Sequence, residues 1–172
     1  IGMIGVKGSL EYKLRVAKAA GFDGVEFNAP GVNVAELKAA SKASGLIIDG
    51  SVGGTHWQVR HSDPDSAVRA KELDNLQQSL EETAALGGDS CLLVVGHGKD
   101  GSPEEVAERS IANIKLALPT AEKLQIPILV ENVWNNFLYD PSGDSNQSAQ
   151  PLADYIDAFD SPWVGLQFDL GN

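Results

Sequence analysis

The chain has 172 residues, of which 42% are hydrophobic and 22% charged, so it can bury one globular core and is not a disordered segment. Its formal net charge of −11 opposes binding to nucleic acid or to an anionic membrane surface, and we expect neither as a partner. The single cysteine, Cys91, excludes a disulfide within the chain, and no apolar run approaches the roughly 20 residues of a membrane helix.

Apolar runs and turn residues alternate along the first half of the chain. Runs at residues 3–6, 24–27 and 46–48 predict three short strands, and the third run continues into residues 51–57. Capping residues mark the helices between these strands. The predicted helices follow Ser9 and end before Gly21, cover residues 34–44 between Asn33 and Gly45, and cover about residues 65–86 before Gly87.

The second half repeats the alternation. Strands are predicted at residues 90–95, 126–131 and 164–168, and Cys91 lies in the first of them, where a buried structural thiol is expected. A helix is predicted after Ser102 and Pro103, with a break at Pro119 because proline lacks the amide hydrogen that a helix interior needs. A long polar loop at residues 137–149 precedes a fifth helix around residues 152–159.

Six strands alternating with five helices predict a parallel sheet with right-handed crossovers. A doubly wound open sheet and a (β/α)8 barrel both fit this alternation. The turn after the first strand lacks the Gly-x-Gly-x-x-Gly pattern of a dinucleotide-binding fold. Barrels run to about 250 residues, so a barrel of this length would lack about two strand-helix units.

Four consecutive predicted strands end in groups that can bind a metal ion. These groups are His56, His97, Glu131 and Asp169. The carboxyl ends of parallel strands meet at one edge, so we expect these side chains to lie together. Imidazole and carboxylate ligands suit Zn, Mn, Co or Fe, whereas oxygen-rich sets favour Mg or Mn. The alternative for each residue alone is a solvated or loop position without a ligand.

Two tryptophans and two further polar residues lie beside these groups. Trp57 and Trp134 are placed to form the wall of a sugar pocket, although core packing is an equally good interpretation of each. Glu26 ends a shorter strand and is a candidate for a supporting position behind the ligands. His61 lies in a polar loop, and we expect it to be solvated.

Four segments resemble the xylose-isomerase-like TIM barrels, the sugar phosphate isomerase/epimerase group. They are AGFDGVEF at residues 20–27, THW at 55–57, ENVWNN at 131–136 and DLGN at 169–172. The resemblance implies a single (β/α)8 TIM-barrel domain over residues 1–172, truncated before strands seven and eight. It also implies that Glu131 is a metal ligand and an acid/base carboxylate, and that Asp169 is a second ligand. The family's other ligands, a His or Gln from strand seven and a Glu from strand eight, have no counterpart here.

The resemblance implies a metal-dependent sugar or sugar phosphate isomerase or epimerase, which moves a proton next to a ketose carbonyl through an enediolate. The expected cofactor is a divalent metal ion, Mn, Mg, Co or Zn. The expected partner is a small-molecule sugar or sugar phosphate, and the resemblance is also compatible with a homo-oligomer. A cytoplasmic location is expected unless an N-terminal signal has been removed. Substrate contacts are expected from His56, Trp57, His97, Asn132, Trp134 and Asn172.

Two alternatives remain. Endonuclease IV, a zinc-dependent abasic-site nuclease, shares the superfamily and carries histidines near the ends of strands three and four, where His56 and His97 fall. Its strand-six Asp is followed three residues later by His, whereas this chain has Asn172. The acidic balance also opposes DNA binding. The second alternative is a non-catalytic barrel that binds a sugar or a partner.

Overall fold

Residues 5–172 are described by the structure, which is a computed structural model. The first predicted strand, at residues 3–6, lies largely outside this range, and its last two residues are not in a strand. Within the described range, no helix combines the length and the hydropathy needed to cross a bilayer.

Five parallel strands form one sheet. They are β1 (Gly24–Ala29), β2 (Ile47–Gly53), β3 (Cys91–Leu93), β4 (Ile128–Glu131) and β5 (Val164–Gln167). Each strand pairs in parallel with the next strand in the chain, in the order β1-β2-β3-β4-β5. A doubly wound sheet reverses its order at a switch point, and this sheet does not. The arrangement is that of a barrel wall.

Residues 5–172 contain six α-helices, one before β1 and five between the strands, which is one more helix than the alternation predicted. They are α1 (Leu10–Ala19), α2 (Val34–Ser44), α3 (Ser66–Leu86), α4 (Pro103–Lys115), α5 (Leu118–Leu124) and α6 (Gln150–Asp157). The extra helix arises at the predicted break, because α4 ends at Lys115 and Pro119 lies in the first turn of α5. Proline is tolerated there, since the first amides of a helix have no intrahelical acceptor.

The predicted capping residues begin and end the helices. The Asn33 side chain accepts a hydrogen bond from the Glu36 N–H at 3.1 Å, and Gly45 ends the same helix with a φ of 70°. Ser102 and Glu105 form a reciprocal capping box at the start of α4. Such caps contribute about 1 kcal/mol each, and they set where each connection leaves the helix.

Two apolar clusters fill the space between sheet and helices. One lies around β1, α1 and α2 and includes Leu14, Phe27 and Leu37. The other lies between β3–β5 and α3–α6 and includes Cys91 and Ile128. Burial raises the pKa of the Cys91 thiol to about 11, so the thiol stays protonated and is part of the packing. Both clusters leave the carboxyl ends of the strands at one common rim.

Candidate functional site

A cavity of about 560 Å³ lies at the carboxyl ends of the strands. Its lining includes six residues expected from the sequence to bind metal or substrate or to wall a pocket: His56, Trp57, Glu131, Trp134, Asp169 and Asn172. The remaining lining residues are Glu26, Val52, Leu92, Val133, Gln167, Phe168 and Leu170. The two carboxylates and the two indoles therefore share one space, with acidic groups and aromatic surface together.

Glu131 is the last residue of β4, and its carboxylate is half-buried in this cavity. Burial is the largest cause that raises its pKa, and the negative charge of Asp169 raises it further. A hydrogen bond acts in the opposite direction, because Asn172 Nδ2 donates to Glu131 Oε1 at 3.2 Å. A glutamate whose ionisation is opposed by burial and by a neighbouring negative charge favours a bound cation or a proton.

Asn132 connects the ends of β4 and β5. Its Nδ2 donates to the Asp169 carbonyl oxygen at 3.0 Å, and its Oδ1 accepts from the Asp169 N–H at 2.6 Å. The Asp169 carboxylate also accepts from the Gly171 N–H at 2.6 Å. Asn132 does not line the cavity, and its two hydrogen bonds position Asp169. A direct substrate contact from Asn132 stays a prediction.

The two tryptophans form one wall of the cavity. The indoles of Trp57 and Trp134 stack with ring centroids 5.3 Å apart and an interplanar angle of 22°. The His56 ring meets Trp57 edge-on, with centroids 5.7 Å apart. Trp134 is 52% exposed although it lies over this wall, so core packing does not account for its position. A flat apolar surface of this kind suits the apolar face of a sugar ring.

His56 is buried between the ends of β2 and β3. Its Nδ1 accepts a hydrogen bond from the Val94 N–H at 3.2 Å, and burial lowers its pKa to about 4. The ring is therefore neutral at physiological pH.

The other two histidines lie outside the cavity. His97 Nδ1 accepts from the Lys99 N–H at 3.1 Å, which caps a short 3-10 turn at Gly98–Asp100, and the cavity lining does not include His97. Its substrate contact stays a prediction. The expectation that His61 is solvated was wrong, because His61 is 0% exposed and its Nδ1 lies 2.7 Å from Asn113 Nδ2. The polar loop folds inward there and docks on α4.

Glu26 and Gln167 complete the polar lining, and the sequence patterns gave little weight to either. Glu26 lies on β1, and burial is the largest cause that raises its pKa, followed by the charge of Asp49 and, further down, that of Glu131. Gln167 is the last residue of β5. The sequence signal for both is a polar residue near the end of a short apolar strand. Many solvent-facing residues show the same signal.

A divalent cation fits the oxygen-rich part of this site. Glu131 and Asp169 both line the cavity, and burial, followed by the charge of Asp169, raises the pKa of the Glu131 carboxyl. Within residues 5–172, no three His, Cys, Asp or Glu side chains form a ready metal cluster. Two carboxylates with free coordination positions match a hard ion such as Mn²⁺ or Mg²⁺, which keeps part of its shell for water or substrate oxygens.

Several solved structures with a similar fold are named as sugar epimerases. The 3-keto-D-glucoside 4-epimerase from E. coli aligns with a TM-score of 0.79 at 20% identity, over 96% of this chain and 65% of that chain. An L-ribulose 3-epimerase aligns with a TM-score of 0.74 at 26% identity, over 93% and 54%. The D-allulose 3-epimerase from Methylomonas sp. aligns with a TM-score of 0.73 at 20% identity, over 93% and 56%.

The chain thus spans between 54% and 65% of the length of these three proteins. The comparison with curated proteins by sequence gave no match. A family model described as the xylose isomerase-like TIM barrel matches residues 14–172, which is nearly the whole chain. The parallel strand order and the site at the strand ends agree with that match, and the chain belongs to the xylose isomerase-like TIM barrel family.

Proposed function

We propose that this chain acts as a metal-dependent sugar isomerase or epimerase, with its chemistry next to a ketose carbonyl. The observation that carries the proposal is the cavity in which Glu131 and Asp169 face one another's charge beside stacked indoles. The structural neighbours support it, because their names describe epimerases of ketoses and of a keto-glucoside.

Glu131 is the proposed base. Its carboxylate removes a proton from the carbon next to the carbonyl, the C–H electron pair forms the carbon–carbon double bond of an enediolate, and the carbonyl oxygen takes the negative charge. Return of the proton from Glu131 to the same carbon re-forms the carbonyl and restores the ketose. Delivery to the former carbonyl carbon, with transfer of the hydroxyl proton from one enediolate oxygen to the other, gives the isomer. In the metal-free site, burial raises the pKa of the Glu131 carboxyl, so this carboxyl binds a proton more readily than a free glutamate does.

Asp169 is the proposed second ligand, and Glu131 and Asp169 together would hold the cation. When bound, a divalent cation supplies positive charge that stabilises the negative charge developing on the substrate oxygens. Asn132 fixes the backbone of Asp169 through two hydrogen bonds, so the carboxylate is held before a ligand arrives. Such preorganisation lowers the cost of assembling the site.

Trp57 and Trp134 are proposed to bind the sugar through its apolar face. Their stacked rings give an extended surface, and Asn172 offers a carboxamide beside Glu131 for the hydroxyl groups. This combination orients a polyhydroxy chain without adding charge. The proposed substrates are free or phosphorylated ketoses.

Deuterium uptake tests the proposal. We expect the purified chain with Mn²⁺ to exchange deuterium from D₂O into the carbon next to the carbonyl of at least one ketose in a panel that includes D-allulose and D-fructose. Glu131→Gln should lower the exchange rate by about 10²- to 10⁴-fold, because it removes the base. Glu108→Gln, an exposed residue on α4, is the matched control and should leave the rate unchanged.

Two results would contradict the proposal. One is the absence of exchange across the whole panel with Mn²⁺, Mg²⁺ and Co²⁺ in turn. The other is exchange that persists unchanged in Glu131→Gln, which would place the base elsewhere.

A further inference from the structure

The orientation of His56 determines which of its two ring nitrogens faces the cavity. β2 and β3 are paired only at Ser51–Cys91 and Val52–Leu92, so the strands separate beyond that point. The His56 ring occupies the gap. Its Nδ1 accepts a hydrogen bond from the Val94 N–H at 3.2 Å, where a paired strand would offer a carbonyl oxygen. A backbone N–H can only donate, so Nδ1 must carry its lone pair and the ring proton lies on Nε2.

Gly53 provides the room for this arrangement. A Cβ added at Gly53 would lie 2.8 Å from His56 Nδ1 and 3.3 Å from the Leu92 carbonyl oxygen. The distance to Nδ1 is shorter than real Cβ contacts, so a side chain at Gly53 would displace the ring. Because Gly53 has no side chain, the His56 ring can lie against β3.

Nε2–H is the donor that the contact with Val94 leaves available. Within residues 5–172 it makes no hydrogen bond to the protein, and the only buried side-chain nitrogen or oxygen without a partner in this range is His61 Nε2. His56 lines the same cavity as Glu131 and Asp169. An open donor beside two carboxylates and two indoles is available to a bound molecule.

We propose that His56 is a hydrogen-bond donor to the substrate, held as the Nε2–H tautomer by the Val94 N–H in the space that Gly53 leaves, and that it binds an acceptor oxygen of the substrate. The proposal rests on the proposed function, since the ligand is the ketose of that reaction. A neutral imidazole can polarise a carbonyl or bind a developing oxyanion without giving up a proton. It also selects ligands, because an oxygen acceptor must lie opposite Nε2.

Nitrogen NMR of the histidine side chains tests the tautomer directly. The chain has three histidines, and the His56→Gln variant identifies the His56 signals by their loss. At pH 7 we expect an unprotonated Nδ1 and a protonated Nε2, with the Nε2–H signal shifting when D-allulose or D-fructose is added with Mn²⁺. A protonated Nδ1, or an Nε2–H signal that does not move at saturating ketose, would overturn the proposal.

Variants test the contribution to the reaction. His56→Gln keeps an N–H donor at about the reach of Nε2, and we expect deuterium exchange within about tenfold of the original rate. His56→Asn keeps an acceptor for Val94 but has no donor at that reach, and we expect a loss of about 10²-fold. Equal rates in all three proteins would overturn the donor role. Absence of exchange in the unmodified chain would instead overturn the proposed function, and the NMR titration with ketose would still decide whether His56 binds it.

Gly53→Ala gives an independent check, because it keeps the histidine and removes only the space that its ring occupies. We expect the His56 Nε2–H signal to move and deuterium exchange to fall toward the His56→Asn rate. A Gly53→Ala protein that keeps both the tautomer and the rate would show that Gly53 does not fix the ring.

Discussion

Glu72 is a buried carboxylate on α3, with 2% of its surface exposed. Its Oε2 accepts hydrogen bonds from the Thr55 hydroxyl at 2.9 Å and from Asn75 Nδ2 at 2.8 Å. Burial, the largest effect, raises its pKa to about 7, and the two hydrogen bonds oppose that rise. The carboxyl group is thus half protonated near neutral pH. It also holds Thr55, the residue that precedes His56.

The raised pKa of Glu72 makes the stability of the fold depend on pH. The folded pKa of about 7 lies above the ordinary value of 4.5, so the contribution is fully present below pH 4.5 and is lost as pH rises through 7. We expect the free energy of unfolding to fall by about 1–3 kcal/mol over that window. Urea unfolding at pH 4.5, 6, 7 and 8.5 measures it.

Glu72→Gln should remove that dependence. Because Oε2 accepts both strong hydrogen bonds, a glutamine oxygen at that place keeps them without a buried charge. We expect the variant to be more stable than the original chain at pH 8.5 and equal to it near pH 4.5. Glu81→Gln, an exposed neighbour on the same helix, is the control, and an unchanged pH slope in Glu72→Gln would contradict the assignment.

Single residues could be predicted where the sequence pattern itself breaks. Glu131 follows an uninterrupted apolar strand, so its place at the strand end could be read from the sequence, and the structure places it in the cavity. The partner of His56 could not be predicted, because Val94 contributes only its backbone and lies 38 residues away. His61 was predicted wrongly, because burial of a polar loop depends on contacts from α4 that local composition does not encode.

At the scale of elements, a buried ion pair joins the loop after β2 to the loop after β3. Arg60 donates from Nε and Nη2 to the two oxygens of Asp100, each at 2.8 Å. Its Nη1 donates to the Trp57 carbonyl oxygen at 3.3 Å, and the Ser62 hydroxyl donates to Asp100 Oδ2 at 2.5 Å. This fork holds the backbone beneath the tryptophan wall, so the wall is positioned by residues outside the cavity.

Asp100→Asn should therefore loosen both the fold and the wall. The change removes the closer of the two carboxylates that pair with the Arg60 guanidinium, which is 12% exposed, and leaves Asp63 at 3.2 Å. We expect a loss of about 1–3 kcal/mol in the free energy of unfolding. The near-ultraviolet circular dichroism of the stacked indoles should weaken at temperatures where the helices are intact. Asp74→Asn, an exposed change on α3, should do neither. An undisturbed indole signal in Asp100→Asn would show that the fork does not position Trp57.

For the whole molecule, most of the alternation of strands and helices could be predicted because α1, α2, α3 and α4 each begin at a capping side chain. The spacing alone left a barrel and a doubly wound sheet open, since both use the same units, and only the strand order separates them. That order depends on packing between elements distant in sequence. The division of the fourth helix followed from Pro119, whose local effect needs no tertiary information.

A bound metal ion should stabilise the whole chain. Glu131 and Asp169 belong to the ends of β4 and β5, so a cation that binds both carboxylates ties the two strands together and stabilises only the folded state. Mn²⁺ at a hundredfold excess over its dissociation constant should add about 2.7 kcal/mol. For a chain of this size each kcal/mol corresponds to about 2–4 °C in Tm. Differential scanning fluorimetry measures the shift, and EDTA should reverse it.

Without a metal ion, Asp169→Asn should stabilise the folded chain slightly. The variant removes one of two charges that repel each other, so without Mn²⁺ its Tm should lie slightly above that of the original chain, and with Mn²⁺ it should gain little. Asp157→Asn, at the exposed end of α6, should keep the full Mn²⁺ shift. If Asp169→Asn and Asp157→Asn respond to Mn²⁺ equally, the cation binds elsewhere on this acidic chain, and the pair at the ends of β4 and β5 is not its site.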